Sequence, residues 1–201
     1  MPRSRAIEAF QQGTYGQSGE KLDFSYYDCA KLDYTTPVLA HRLFVTPVGQ
    51  SGGGFTNKTL DITNMKSAGI IPQGQHHTVR FLKVMYSPAA VKATAALVAF
   101  YRAMASIVVE VVLSNKDQIG QWTLQELMGA ATLFPVTPTT PGDNIGQIQP
   151  RYHGIFPLND PIILAAQTTF EVRVTCFTAG LTTLDGDYLR VALAGTLRRL
   201  S

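Results

Sequence analysis

The sequence predicts a mainly β chain: about eight strands in one sandwich or barrel, with one inserted helix and an N-terminal arm. Three observations predict it. From Thr168 to Cys176 the side chains alternate strictly, with Phe170, Val172, Val174 and Cys176 on one face and Thr169, Glu171, Arg173 and Thr175 on the other. That is the period of a half-buried strand. Between Tyr188 and Leu197, Leu189, Val191, Leu193 and Leu197 share a face, after a linker that carries Gly180 and Asp185-Gly186. The two runs read as long antiparallel strands with one apolar wall, which needs a second sheet or a helix to cover it. Elsewhere, short apolar runs are punctuated by Gly and Pro, and only one segment has a sustained helical period.

The elements follow in chain order. Residues 1–33 read as an arm rich in Gln, Gly, Ser and Tyr, with a short helix over Ala6 to Gln12. Its aromatics include Phe10, Tyr15, Phe24, Tyr26 and Tyr27, many for a disordered tail. Such a segment orders against a neighbour or packs on its own domain, and both readings stay open. Residues 34–201 form the single domain. Leu39 to Val45 is a first strand, stopped by Pro47, and Gln50 to Gly54 is a flexible turn. Lys58 to Ile62 is a short alternating strand, and Gly69 to Gly74 turns the chain again. Thr78 to Tyr86 is a strand with Val79, Phe81 and Met85 on one face and Leu82, Val84 and Tyr86 on the other, so a neighbour should cover both. Ser87-Pro88 opens a helix to about Met104, with Leu97, Phe100, Tyr101 and Met104 in one stripe. Ser106 to Leu113 and Ile119 to Leu124 are strands, and Gln125 to Met128 is a helical turn. Leu133 to Pro150 is turn-rich, and its prolines exclude a central strand. Tyr152 to Phe156 and Ile162 to Ala165 are short strands before the final pair. Eight strands in one layered domain make an eight-stranded jelly roll the natural candidate.

Composition narrows the function. The chain has 201 residues, 45% hydrophobic and only 15% charged, against about 25% charged in typical domains. So little charge suggests that much of the surface faces protein. A net charge of +3 and a pI near 8.9 do not support a nucleic-acid binder with a broad basic patch. The basic end Arg190, Arg198 and Arg199 reads as a solvated chain end, or as a contact for phosphate, membrane head groups or an acidic partner. Cys29 and Cys176 lie far apart and form no Cys-x-x-Cys unit, and Cys176 reads as a small core residue. The first residues lack the apolar run of a signal peptide, so synthesis in the cytoplasm is expected. Ala95 to Leu113 is apolar, but Arg102 and Glu110 interrupt it and oppose a membrane span.

No catalytic constellation emerges, and no cofactor or metal is expected. His76 and His77 are adjacent, so on a strand they point to opposite faces and cannot easily share an ion. Ser51-Gly52-Gly53-Gly54 lacks the Lys-Ser/Thr of a phosphate loop. Asp185 and Asp187 are too few for a calcium loop. Glu171 and Arg173 share a strand face and should pair across a surface. A chain of this kind fits a building block better than an enzyme.

The stretch from Leu43 to Pro88 contains Pro47 to Gly49, then Asp61-Ile62-Thr63-Asn64-Met65, then the turn Gly69 to Gly74 and a long strand. The end contains Pro161 to Leu164, the alternating Phe170 to Cys176, and Leu189 to Arg199 closing in Gly-x-Leu-Arg-Arg. Together these resemble jelly-roll capsid proteins of tailless icosahedral bacteriophages, over Leu43 to Leu200. The resemblance implies a virion shell subunit, synthesised in a host cytoplasm, that packs with copies of itself and with other capsid proteins. It also implies contact of basic residues with an underlying membrane or the genome. Many such coat proteins carry two barrels in one chain, whereas this chain has room for one; a single-barrel coat protein or a pentameric vertex protein fits instead. Arg3, Arg5, Phe10, Tyr15, Tyr26 and Tyr27 of the arm are the candidate subunit contacts. The competing expectation is a carbohydrate- or receptor-binding jelly roll of a spike or fibre, with Trp122 and Tyr152 as its aromatic platform. A metal-dependent enzyme of the cupin type is a third, and its His-x-His with a nearby Glu is missing.

Overall fold

The alternating runs become eight strands in the computed structural model, which describes residues 20–33, 40–87, 89, 104–114, 117–128, 153–177 and 185–199. They are β1 (Glu20–Lys31), β2 (Ala40–Leu43), β3 (Gln75–Ser87), β4 (Ile107–Leu113), β5 (Asp117–Thr123), β6 (His153–Leu164), β7 (Phe170–Cys176) and β8 (Tyr188–Arg199). A short helix, α1 (Leu124–Met128), follows β5. It opens with a capping box: the Glu126 N–H donates to Thr123 Oγ1 (3.2 Å), and Glu126 Oε2 accepts from the Thr123 N–H (2.7 Å). Its buried residues Leu124, Leu127 and Met128 rest against β6. A Cβ at Gly154 would lie 1.8 Å from the Leu127 carbonyl oxygen.

The strands form two four-stranded sheets, ordered β1-β8-β3-β6 and β2-β7-β4-β5, and the strand pairs are antiparallel. Pairing is nested: first with last, second with seventh, third with sixth, fourth with fifth. The chain is one ribbon folded back at the β4–β5 turn, with alternate rungs sent to opposite sheets. The sheets close on one core. Val79, Leu82 and Val84 of β3 and Leu189, Val191 and Leu193 of β8 are fully buried there, as are Val109 and Val111 of β4 and Val172 and Val174 of β7. The result is a β sandwich.

Several expectations change. Residues 20–31 of the expected arm are β1, paired with β8 from Glu20↔Arg199 to Lys31↔Tyr188; residues 1–19 lie outside the described residues. The final two strands do not pair with each other. β7 and β8 fall in opposite sheets and share the core from either side, which is how each covers the other's apolar wall. Lys58 to Ile62 forms no strand, because Lys58 turns inward and Ile62 and Thr63 close a turn on the Thr59 carbonyl. The two short strands at Tyr152 to Phe156 and Ile162 to Ala165 are one strand, β6. It holds Pro157 and Pro161 because it lies at a sheet edge, where a missing N–H costs no ladder bond.

The two faces of β3 also differ from the expected pattern. A bulge at Arg80 shifts the register between Val79 and Phe81 against both β8 and β6. One extra residue flips the side-chain parity, so Val79 joins Leu82, Val84 and Tyr86 inside, while Phe81 and Met85 turn outward. Gly195 of β8 sits opposite the bulge; a Cβ there would come within 1.9 Å of the Thr78 carbonyl oxygen. The expected helix over Ser87 to Met104 lies mostly outside the described residues, as do Leu97, Phe100 and Tyr101. Residues 104–106 are helical, and β4 then takes the end of the apolar stretch. Among the described residues no helix is long and apolar enough to cross a membrane.

Candidate interaction surface

The surface of the first sheet is set by how its edge strand is held. The β2–β3 connection, residues 44–74, lies along the free edge of β1. The Asn64 side chain accepts from the Tyr27 N–H (2.9 Å) and donates to the Ser25 carbonyl (2.8 Å). The Thr63 hydroxyl donates to the Tyr27 carbonyl (3.2 Å), and the Lys31 N–H reaches the Gly53 carbonyl (2.8 Å). Under this clamp lies an ion pair. Lys58 Nζ sits 2.6 and 2.8 Å from the two carboxylate oxygens of Asp28, and neither side chain is exposed at all. The same carboxylate accepts from the Phe44 N–H (2.6 Å) and the Cys29 N–H (2.9 Å). Burial pushes the Asp28 carboxyl above its ordinary value, with the Lys58 charge and these hydrogen bonds working against it. Phe44 takes a left-handed φ of 70°, a strained position for an aromatic residue, where its N–H meets Asp28.

With the edge sealed, the outer face of this sheet is a trough. Register places Ala192, Ala194 and Thr196 of β8 between β1 and β3, and these small residues are almost covered by their flanks. The β3 and β6 side is an apolar ridge: Phe81, Met85, Ile155 and Ile163 are 40%, 39%, 58% and 37% exposed. Arg80, displaced by the bulge, and Lys83 stand beside it, and Asp23 faces them. Together they line a depression of about 430 Å³. An apolar ridge with a cationic rim can take a protein surface that is apolar at its centre and acidic at its border.

The residues singled out in the sequence fall as follows. Arg3, Arg5, Phe10, Tyr15 and Tyr152 lie outside the described residues. Tyr26 is not a surface contact: it is 6% exposed and part of the core, because β1 turns its even-numbered side chains inward. Tyr27 is half-buried; its hydroxyl donates to the Leu60 carbonyl and Arg190 stacks 4.9 Å above its ring. Arg190 is thereby held in its own chain, through the Asp61 carbonyl as well, rather than offered as part of a basic end. Arg198 is exposed, and Arg199 makes a loose 3.4 Å contact with Glu20.

Of the chemical candidates, His77 is fully buried, with Nε2 3.2 Å from the Phe24 carbonyl. Asp187 is buried and accepts from the Tyr86 hydroxyl and the Ala89 N–H (2.8 Å), which ties the turn before β8 to the end of β3. Glu171 pairs with Arg173 on its own strand at 2.5 Å and with Arg42 of β2. No group of three or more metal-ligating side chains is found among the described residues. Ser51 to Gly54 is a turn, with Gly53 and Gly54 at φ 61° and 82°. Cys29 and Cys176 are buried and form no disulfide, and Cys176 sits in the core as expected. Trp122 lies half-buried over Gly120, 5.9 Å from the Phe156 ring, and offers no open platform.

Sequence reasoning missed the Asp28–Lys58 pair and the outward ridge. The first carries no periodic signal, since its partners are 30 residues apart. The second was visible as Phe81 and Met85, whose face was read as covered. Comparison with known proteins finds no matching family model, no matching characterised protein and no matching solved structure.

Proposed function

We propose that this chain is a virion structural protein: a single jelly-roll subunit that assembles with copies of itself into an icosahedral shell. The observation that carries the reading is the nested pairing of strands one with eight through four with five, divided into sheets β1-β8-β3-β6 and β2-β7-β4-β5. A hairpin rolled in that way is the double-sheet arrangement shared by capsid, lectin and cupin domains. Fold alone does not choose among these. Two features favour the shell: the resemblance of Leu43 to Leu200 to phage coat proteins, and the exposed ridge of Phe81, Met85, Ile155 and Ile163. The carbohydrate-binding alternative asks for an open aromatic platform, which the half-buried Trp122 does not supply. The proposed subunit meets its neighbours through the outer face of the first sheet.

The test is particle formation by the full chain, followed by light scattering and electron microscopy. Closed particles are expected from the parent. Ile155→Glu places a charge on the most exposed ridge position, so it should retain the parent melting temperature and lose assembly. A parent that stays monomeric under all assembly conditions, or an Ile155→Glu variant that assembles at parent yield, would overturn the reading.

A further inference from the structure

A smaller cavity, about 180 Å³, opens where the start of β1 and the end of β8 meet the β2–β3 connection. Phe24 and Tyr26 of β1, Leu197 and Arg199 of β8, and Met65 and Lys66 of the connection wall it. Tyr26 is 6% exposed as a residue, yet among the described residues its hydroxyl is not one of the buried side-chain atoms left without a partner, and it belongs to the cavity wall. The ring is held edge-on by Phe24 at 4.9 Å and His77 at 5.2 Å. Arg199 is close enough to oppose the effect of burial on the phenol, which otherwise raises its pKa. The only ion pair of Arg199 among the described residues, with Glu20 at 3.4 Å, is half open to solvent and contributes little.

We propose that this cavity binds a small carboxylate carried on a short apolar body. The phenol and the guanidinium supply donors suited to a carboxylate, and the Lys66 ammonium adds charge of the same sign. Phe24, Met65 and Leu197 supply the wall for a hydrocarbon chain. The volume is well below the roughly 300–1,000 Å³ of sites for larger ligands, which leaves room for a chain of a few carbons. All of these walls belong to one copy, so binding does not depend on assembly.

The experiment is ligand-observed NMR on the full chain, titrated with hexanoate and, separately, with hexan-1-ol and hexylamine. Hexanoate should bind saturably, with a Kd on the order of 1 mM or below, and the alcohol and amine about tenfold more weakly or not at all. Tyr26→Phe and Arg199→Gln should each weaken hexanoate by about tenfold, the effect of losing one charge-assisted hydrogen bond. If Tyr26→Phe does not fold, Arg199→Gln decides alone, because that side chain is exposed. The proposal falls if hexanoate shows no saturable binding, if hexan-1-ol binds as tightly as hexanoate, or if a folded variant binds like the parent.

Discussion

Lys58→Met tests whether the buried ion pair holds the β2–β3 connection on β1. The substitution keeps the apolar stem and removes the charge. Asp28 would then be a fully buried carboxylate facing two backbone N–H groups and no cation. Removing one partner of a buried pair costs about 3–5 kcal/mol, a large share of the roughly 5–15 kcal/mol that holds a domain folded. With a urea slope of about 2 kcal/mol per molar, the midpoint should fall by about 2 M. The loss depends on pH in a definite direction. The Asp28 carboxyl already sits above its ordinary value, and without Lys58 it rises further. A group raised in the folded state stabilises below its unfolded pKa and loses that contribution as pH rises through the folded value. Lys58→Met should therefore be hurt more at pH 8 than at pH 5. Adding Asp28→Asn removes the stranded charge, so the double variant should lose about 1–3 kcal/mol less than the sum of the single losses. Urea denaturation followed by far-UV circular dichroism measures all of this. A Lys58→Met protein within about 1 kcal/mol of the parent at pH 7, or strict additivity in the double variant, would refute the reasoning.

Two further outcomes follow from the core. Phe170 is 3% exposed and touches the Phe44 and Tyr26 rings, with centroids 5.5 and 6.3 Å away, so Phe170→Ala should cost about 3–5 kcal/mol. The neighbouring Thr169→Ala, on the other face, should stay within about 0.5 kcal/mol; equal urea midpoints for the two would reverse the face assignment. Burial holds the His77 imidazole below its ordinary value of 6.5. As pH falls below that value the unfolded chain takes up a proton that the folded chain resists, so stability should drop on acidification. His77→Gln should flatten the melting-temperature profile between pH 7 and pH 5, and an unchanged slope would remove His77 as a cause.

What could be read from the sequence was whatever followed period two in an unbroken strand. β7 and β8 declared their inward faces through Val172, Val191 and their neighbours, while β4 declared itself only as a strand. Sheet membership was not legible: β7 and β8 are adjacent in the chain, both have an apolar wall, and nothing local says that the walls face each other rather than pair side by side. β1 was hidden by its own chemistry. Leu22, Phe24, Tyr26 and Ala30 do alternate, but Asp28 interrupts the series, and a buried carboxylate is tolerated there only because Lys58 arrives from a distant turn. β3 misled for a different reason. The bulge at Arg80 reverses parity midway, so a single face assignment drawn through the whole strand fails for either half. The candidate surface depended on that bulge and was lost with it.

The sheet edges bear on how copies of the chain would meet. Clamping by Asn64, Thr63 and Gly53 closes much of β1. Pro157 and Pro161 blunt β6, and β2 is only four residues long. These are the devices by which proteins prevent strand addition at an open edge. Four exposed apolar side chains, Phe81, Met85, Ile155 and Ile163, gather instead on one sheet face, while Leu60, Ile119, Phe177 and Tyr188 are exposed elsewhere. On the proposed reading, contact of the first sheet therefore runs through its face rather than by strand pairing; β5 is the remaining edge strand, in the second sheet. The cations on that face then restrict the symmetry. In a two-fold contact of the trough with itself, Arg80 and Lys83 of each copy would face those of the other, and Asp23 alone cannot neutralise them. On that reading the face would suit a different surface of the next copy, one that brings acidic groups to Arg80 and Lys83. Such a heterologous contact repeats around an axis and closes into rings when the rotation allows, which is the geometry a shell requires.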